Sequence, residues 1–327
     1  MMKRPLTAML MLLIATVFWA VSFPAMKSLE MALQGPLPRA SSWFVSSLTL
    51  ASRFAFAAVI LLILCRRVPR FTKLEIKQGA GLGFFNAFGL LLQMDGLAYT
   101  PASTSAFLTQ CYCILIPIVV ALHEKRWPPK KVIVSCALAL AGVAVLARMD
   151  WRALRLGRGE IETILASVFF TGQILWLDRA EFSANQPVHT TLLMFVVTAL
   201  LAVPVCVLTE PTLEPIAVAF AQASFWKLIV VLTILSTLLT YVAMNIWQPH
   251  LPATHAGLIY CGEPVFTSLF ALFLPAFFSQ WIGINYANES LTANLLLGGG
   301  LITLANILLL FGPAKFAESN GPGEISE

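Results

Sequence analysis

The sequence predicts an all-α integral membrane protein, and three observations predict it. Hydrophobic residues make up 58% of the 327 and charged residues only 11%, whereas a typical soluble domain carries about 25% charged residues. Mean hydropathy is +0.82. Ten mostly apolar runs, at 6–28, 45–64, 78–98, 102–122, 132–148, 159–178, 188–208, 226–247, 254–274 and 292–311, are each long enough for a helical span, which needs roughly 20 residues. The connections are too short for a folded domain outside the membrane, and the alternating strands of a barrel are absent.

Each run has its own justification. The first follows Lys3 and Arg4 but is too long for a signal peptide and lacks a small-residue cleavage site, so it is an uncleaved span. The second is apolar but for Arg53 and stops at Arg66 and Arg67; the third carries Gly79-x-x-x-Gly83 and ends near Asp95. The fourth opens after Pro101 and contains Pro117, and the fifth holds Ala137-x-x-x-Ala141. Both small-residue patterns predict close helix packing. The sixth centres on Gln173, the seventh fills 188–208, the eighth carries Tyr241 and Asn245, the ninth Glu263-Pro264, and the tenth holds the GLITLANILL stretch from Gly300. Residues 313–327, ending GPGEISE, read as a disordered cytoplasmic tail.

Basic residues set the topology. With an inside N-terminus, 13 of the 21 fall inside, 7 outside, and Arg53 within a span. That bias places both termini in the cytoplasm of a cell inner (plasma) membrane, against only the arginine-rich loop from Arg148 to Arg158. The +5 net charge is therefore topological, and no nucleic-acid partner is expected. All six cysteines lie in or at the ends of spans, where they read as packing residues. Trp43, Trp127, Trp151, Trp226, Trp247 and Trp281 lie near span ends, as interfacial anchors do.

The chain also reads as two halves. PASTSAFLTQCYCILIPIV from Pro101 matches PATHAGLIYCGEPVF from Pro252, although Ala106 to Pro117 spans 11 residues and Ala256 to Pro264 spans 8, a slip of about one turn. ALALAGVAVL from Ala137 matches GLITLANILL from Gly300, 163 residues on. Two five-helix units are expected, 1–150 and 151–312. Because five is odd, the second inserts upside down, giving an inverted five-plus-five repeat of the kind that supports alternating access.

The stretches LLQMDGLAYTPASTSAFLTQCYCILIPIVVAL, CALALAGVAVLA and GLIYCGEPVF, with FWAVSFPAMK in the first span, resemble the EamA-type transporters of the drug/metabolite transporter superfamily. The resemblance covers nearly the whole chain and implies ten helices, an inverted repeat and small-metabolite transport, commonly export. It departs where Gln280-Trp281 stand in place of a glutamate that would match Glu124.

An ionisable side chain in hydrocarbon costs about 2.5 to 3.5 kcal/mol at mid-helix, so Glu263 needs a reason to be there. One reason is coupling, the carboxyl loading and releasing a proton as the cavity changes sides; the other is a local hydrogen bond that holds a helix kinked at Pro264. The resemblance implies a glutamate shared across different substrates, which fits either role better than substrate recognition. Helical spacing pairs Tyr260 with Glu263, Tyr241 with Asn245, Asn86 with Gln93, and Thr109 with Tyr112. With Gln173, Trp19 and Ser22 these are the substrate-binding candidates, each of which could instead bond between helices. Together they suit a small amino acid or related compound. Arg53 could snorkel to the outer interface, bind an anionic substrate or pair with a carboxylate. Asp95 and Lys27, near span ends, are expected to be solvated.

Other classes lack residues. The four histidines form no H-E-x-x-H motif or metal-ligand cluster, and no glycine-rich phosphate loop is present, so no enzyme, cofactor or metal is expected. The expectation is a proton-coupled secondary transporter in the lipid bilayer; the alternative is an uncoupled channel or lipid-handling facilitator.

Overall fold

The computed structural model describes residues 3–66, 70–100, 102–125, 127–146, 157–210 and 212–310, and among them every regular element is a helix. In order these are α1 (Lys3–Gln34), α2 (Ser42–Leu64), α3 (Lys73–Tyr99), α4 (Ala102–Thr109), α5 (Tyr112–Glu124), α6 (Lys130–Leu146), α7 (Arg158–Leu177) and α8 (Pro187–Thr209). There follow α9 (Glu214–Ala221), α10 (Ala223–Thr233), a π-helical turn (Ile234–Leu239), α11 (Thr240–Trp247), α12 (Ala253–Tyr260), α13 (Glu263–Phe270), α14 (Leu274–Ile282) and α15 (Ala293–Leu310). Within the described residues the apolar runs are mostly helix, interrupted by turns at 110–111, 261–262 and 271–273. By length and composition five helices can cross a membrane, six if the pair of segments Ala253–Phe270 and Leu274–Ile282, bent by 61°, is one span. The chain is a multi-pass α-helical membrane protein.

Local chemistry sets several helix starts. Thr72 and Glu75 form a capping box at α3, each side chain bonding the other's backbone N–H, and Ser41 accepts from the Phe44 N–H at α2. Asp178, just beyond α7, accepts from the Ala253 N–H and so ties the end of α7 to the start of α12.

The tightest packing joins helices from opposite halves of the chain: α3 on α7 and α8, α2 on α8, α6 on α15, and α1 on α10, α11 and α13. Gly79 and Gly83 show how α3 comes so close. A Cβ at either would run into Leu193 or Val197 of α8. In lipid, such close approach supplies the dispersion contacts that hydrophobic burial supplies in water. The second small-residue pattern behaves otherwise: Ala137 and Ala141 are exposed, and Gly142 meets α15 instead, facing the Gly298 carbonyl and Leu301.

Both central helices are broken, and the breaks share a register. Ala253 and Tyr260, which bound α12, stand 151 residues after Ala102 and Thr109, which bound α4; Glu263 stands 151 after Tyr112. The slip expected from the prolines is therefore absent. Pro117 lies inside α5, whereas Pro264 sits in the first turn of α13, where its missing N–H breaks no helical bond. The kink at Pro264 is replaced by a break at Cys261-Gly262. From Lys130 to Ala293, where α6 and α15 start, the offset is 163. The 12 extra residues fall between α13 and α15, where α14 and the irregular stretch 284–292 lie.

Other expectations change. Cys113 and Cys261 form a disulfide between α5 and the α12–α13 break, so these two are a covalent tie as well as packing residues. Asp95 is fully buried and paired with Arg158 of α7, because α7 lies over that end of α3. Lys27 is half-buried, donating to Glu30 and to the Leu97 carbonyl. The loop arginines from 148 to 155, Trp151 and the tail over 313–327 lie outside the described residues.

Candidate functional site

A cavity of about 570 Å³, including its open side, lies between α1, α2, α3, the α4–α5 break, α7, α11 and the α12–α13 break. Its 14 lining residues divide seven and seven between the parts of the chain before and after residue 150, so neither half forms the site alone.

The breaks supply its centre. Thr109 ends α4 and Tyr112 begins α5; Tyr260 ends α12 and Glu263 begins α13, and all four face the cavity. A break inside a span is tolerated where the freed backbone borders a cavity instead of lipid. Gln110, fully buried in the first break, lies beside the Glu263 carboxyl. Tyr112 and Tyr241 are the other polar neighbours of Glu263.

One wall is aromatic. The Trp19 ring meets Tyr241 and Tyr260 edge-on, with centroids 5.4 and 5.3 Å apart. Phe54 and Phe195 back Tyr241 at 5.7 and 6.3 Å. Another part of the lining carries an amide: Gln93 Nε2 donates to Thr109 Oγ1 at 3.1 Å, and Thr109 donates on to the Ser105 carbonyl. Ser22 and Gln173 complete the polar lining. Trp19 Nε1 and Gln173 Nε2 are buried donors without an acceptor.

The structure therefore gathers Trp19, Ser22, Gln93, Thr109, Tyr112, Gln173, Tyr241, Tyr260 and Glu263 around one space. It places two other candidates elsewhere. Asn86 donates to Thr198 of α8, and Asn245 donates to Thr191 of α8; both sit on helix faces that α8 covers.

Sequence reasoning left the role of Arg53 open and missed Gln110 and Gln248. Arg53 does not snorkel: its side chain is 2% exposed and borders the cavity, enclosed by α10 and the π-turn. Gln248 stands behind Tyr260, accepting from its hydroxyl at 3.0 Å while donating to the Ile174 carbonyl. No spacing rule links Gln248 to either partner, since the bonds cross between helices. Among the described residues no group of three or more His, Cys, Asp or Glu side chains is placed to hold a metal ion.

This arrangement, an aromatic wall with amides, one acid and one guanidinium, can hold a small amphipathic solute. Comparison with known proteins points the same way. Residues 6–148 match the EamA-like transporter family. An "Uncharacterized transporter" of Archaeoglobus fulgidus is 24% identical over 307 residues, covering 94% of this chain and 86% of the relative. A protein of known crystal structure shares the fold with a TM-score of 0.67 at 18% identity, over 93% of this chain and 96% of the other. The matched segment contributes Trp19, Ser22, Gln93, Thr109 and Tyr112 to the cavity, and its family points to membrane transport of a small solute and away from catalysis.

Proposed function

We propose that the chain is a secondary active transporter that exports a small organic metabolite, an amino acid or related compound, across the inner membrane by alternating access. The observation that carries this reading is the cavity shared equally between two chain halves, centred on two helix breaks of common register. Opposed half-helices around a midplane site are what rocking of one repeat against the other requires. On this reading ten helices cross as an inverted five-plus-five repeat, with the units at 1–150 and 151–312 and both termini in the cytoplasm. Trp19, Ser22, Gln93, Thr109, Tyr112, Gln173, Tyr241 and Tyr260 contact the solute. Glu263 couples transport to protons, for which its place beside the cavity at the start of α13 is the support.

Proteoliposomes decide between carrier and facilitator. Wild-type protein should accelerate counterflow of a bound amino acid and respond to an imposed proton gradient. Glu263→Gln should retain counterflow and lose the response. Gradient-independent flux in wild type, unchanged in Glu263→Gln, would leave an uncoupled facilitator.

A further inference from the structure

We propose that Arg53, oriented by the π-helical turn at Ile234–Leu239, anchors a carboxylate of the solute, so that the cavity selects small molecules combining a carboxylate with an apolar body. The inference rests on the cavity being the solute site.

The guanidinium has five N–H donors and no acceptor. Its Nε donates to Thr237 Oγ1 at 2.8 Å and its Nη2 to the Ser236 carbonyl at 3.2 Å; the Nη1 contact is Met26 Sδ at 3.7 Å, a weak acceptor. All three partners are neutral. Among the described residues no carboxylate pairs with Arg53. A permanently charged group held inside a membrane protein without a counter-ion is costly, and such groups mark substrate pathways.

The turn aims the side chain without neutralising it. A π-turn widens the helical ladder and leaves backbone carbonyls available, and here Ser236 presents one to Arg53. Thr237 donates its own hydroxyl proton to the Leu232 carbonyl at 2.9 Å, which leaves its lone pairs for Nε. Ser236 Oγ bonds the Phe18 carbonyl, fixing the turn to α1 next to Trp19. Arg53 is thereby held by the turn, and each of Nη1 and Nη2 has one N–H beyond these contacts, on a residue that borders the cavity.

A second observation points to the same ligand. Gln173 Nε2, on a side chain only 3% exposed, and Trp19 Nε1 lack acceptors and line the same cavity. Two donors without acceptors, beside a guanidinium without a counter-ion, are complemented by an anionic acceptor group. A carboxylate offers two oxygens for the guanidinium fork. A phosphate dianion fits less well, because Arg53 is the only cation among the described lining residues and Glu263 shares the space. The apolar body then lies on the rings of Tyr241 and Tyr260.

The test is a matched ligand series on the purified full-length chain, read by calorimetric titration: 3-phenylpropionate, L-phenylalanine, L-phenylalaninamide, phenethylamine and phenyl phosphate. Wild type should bind the two carboxylates at least about tenfold more tightly than the amide and the amine, the margin expected of a charge-assisted bidentate contact. Arg53→Gln should bind acid and amide alike, and Arg53→Lys should restore part of the preference. Gln173→Leu should weaken the acids and leave the amide unchanged, which keeps the test open if the Arg53 variants fail to fold. Equal binding of acid and amide by wild type, preference retained in Arg53→Gln, no carboxylate binding, or tighter binding of the phosphate would each overturn the proposal. Counterflow of the same probes separates it from the transport reading. Arg53-dependent binding without counterflow removes transport and keeps the anchor, and counterflow of amines indifferent to Arg53 does the reverse.

Discussion

The Tyr260 hydroxyl donates to Gln248 Oε1 at 3.0 Å, and this bond ties the last residue of α12 to the residue that follows α11. Gln248 Nε2 donates in turn to the Ile174 carbonyl at 2.9 Å, so three helices meet behind the cavity wall. Gln248→Leu strands the buried hydroxyl and Tyr260→Phe strands the buried Gln248 oxygen, so each should cost about 1 to 3 kcal/mol, while the double variant should cost less than the two losses added. Thermal midpoints of the three variants in detergent measure the coupling. Simple additivity would mean that the bond carries no such role.

Close packing of α3 on α8 makes Gly83 intolerant of a side chain. Gly83→Leu places its branch against Val197 and the Met194 carbonyl and should cost about 1 to 3 kcal/mol by overpacking. Gly300 is the control, since a Cβ there meets nothing within 4 Å. Gly300→Ala should leave the midpoint equal or slightly higher. Similar losses from both would deny that approach distance matters at α3.

Stability should depend on pH through Asp178. Burial against the start of α12 raises its pKa from 3.8 to about 6, although the Ala253 N–H opposes the shift. A raised carboxyl pKa means the folded chain holds this proton more tightly than the unfolded chain. Its contribution is therefore full below about pH 4 and is lost as pH rises toward about 6. Asp178→Asn should flatten that part of the midpoint-against-pH curve and exceed wild type above it. An unchanged slope in the variant would assign the effect to another group.

Cysteine chemistry gives a direct check on the tie between the central helices. A non-reduced digest should yield the Cys113 and Cys261 peptides as one linked species. Thiol labelling of native protein should modify Cys65 and Cys111, which are partly exposed, and spare buried Cys136 and Cys206. Labelling of Cys113 in unreduced protein contradicts the linkage.

The helices were legible because a membrane span needs a long apolar run, and run length survives without knowledge of any partner. The ends of α2, α3, α7 and α8 lie within a few residues of the runs that foretold them. The break at Gln110-Cys111 was not legible, since no glycine or proline marks it. The site was partly legible for a related reason. Spacing along one helix tells which residues share a face, and so grouped Tyr260 with Glu263; it does not tell what covers that face. Asn86 and Asn245 meet Thr198 and Thr191 of α8, far off in sequence. The role of Arg53 stayed open among snorkelling, anion binding and ion pairing because its depth depends on the π-turn, more than 180 residues later in the chain.

The common register of the two breaks gives the cavity a polarity. Tyr112 and Glu263 occupy corresponding places, each the first residue of a half-helix, yet one is a phenol and the other an acid. Identical residues at the two starts would have made the lining alike on both sides of the paired breaks. With an acid at one start and a phenol at the other, the chamber has a head and a tail.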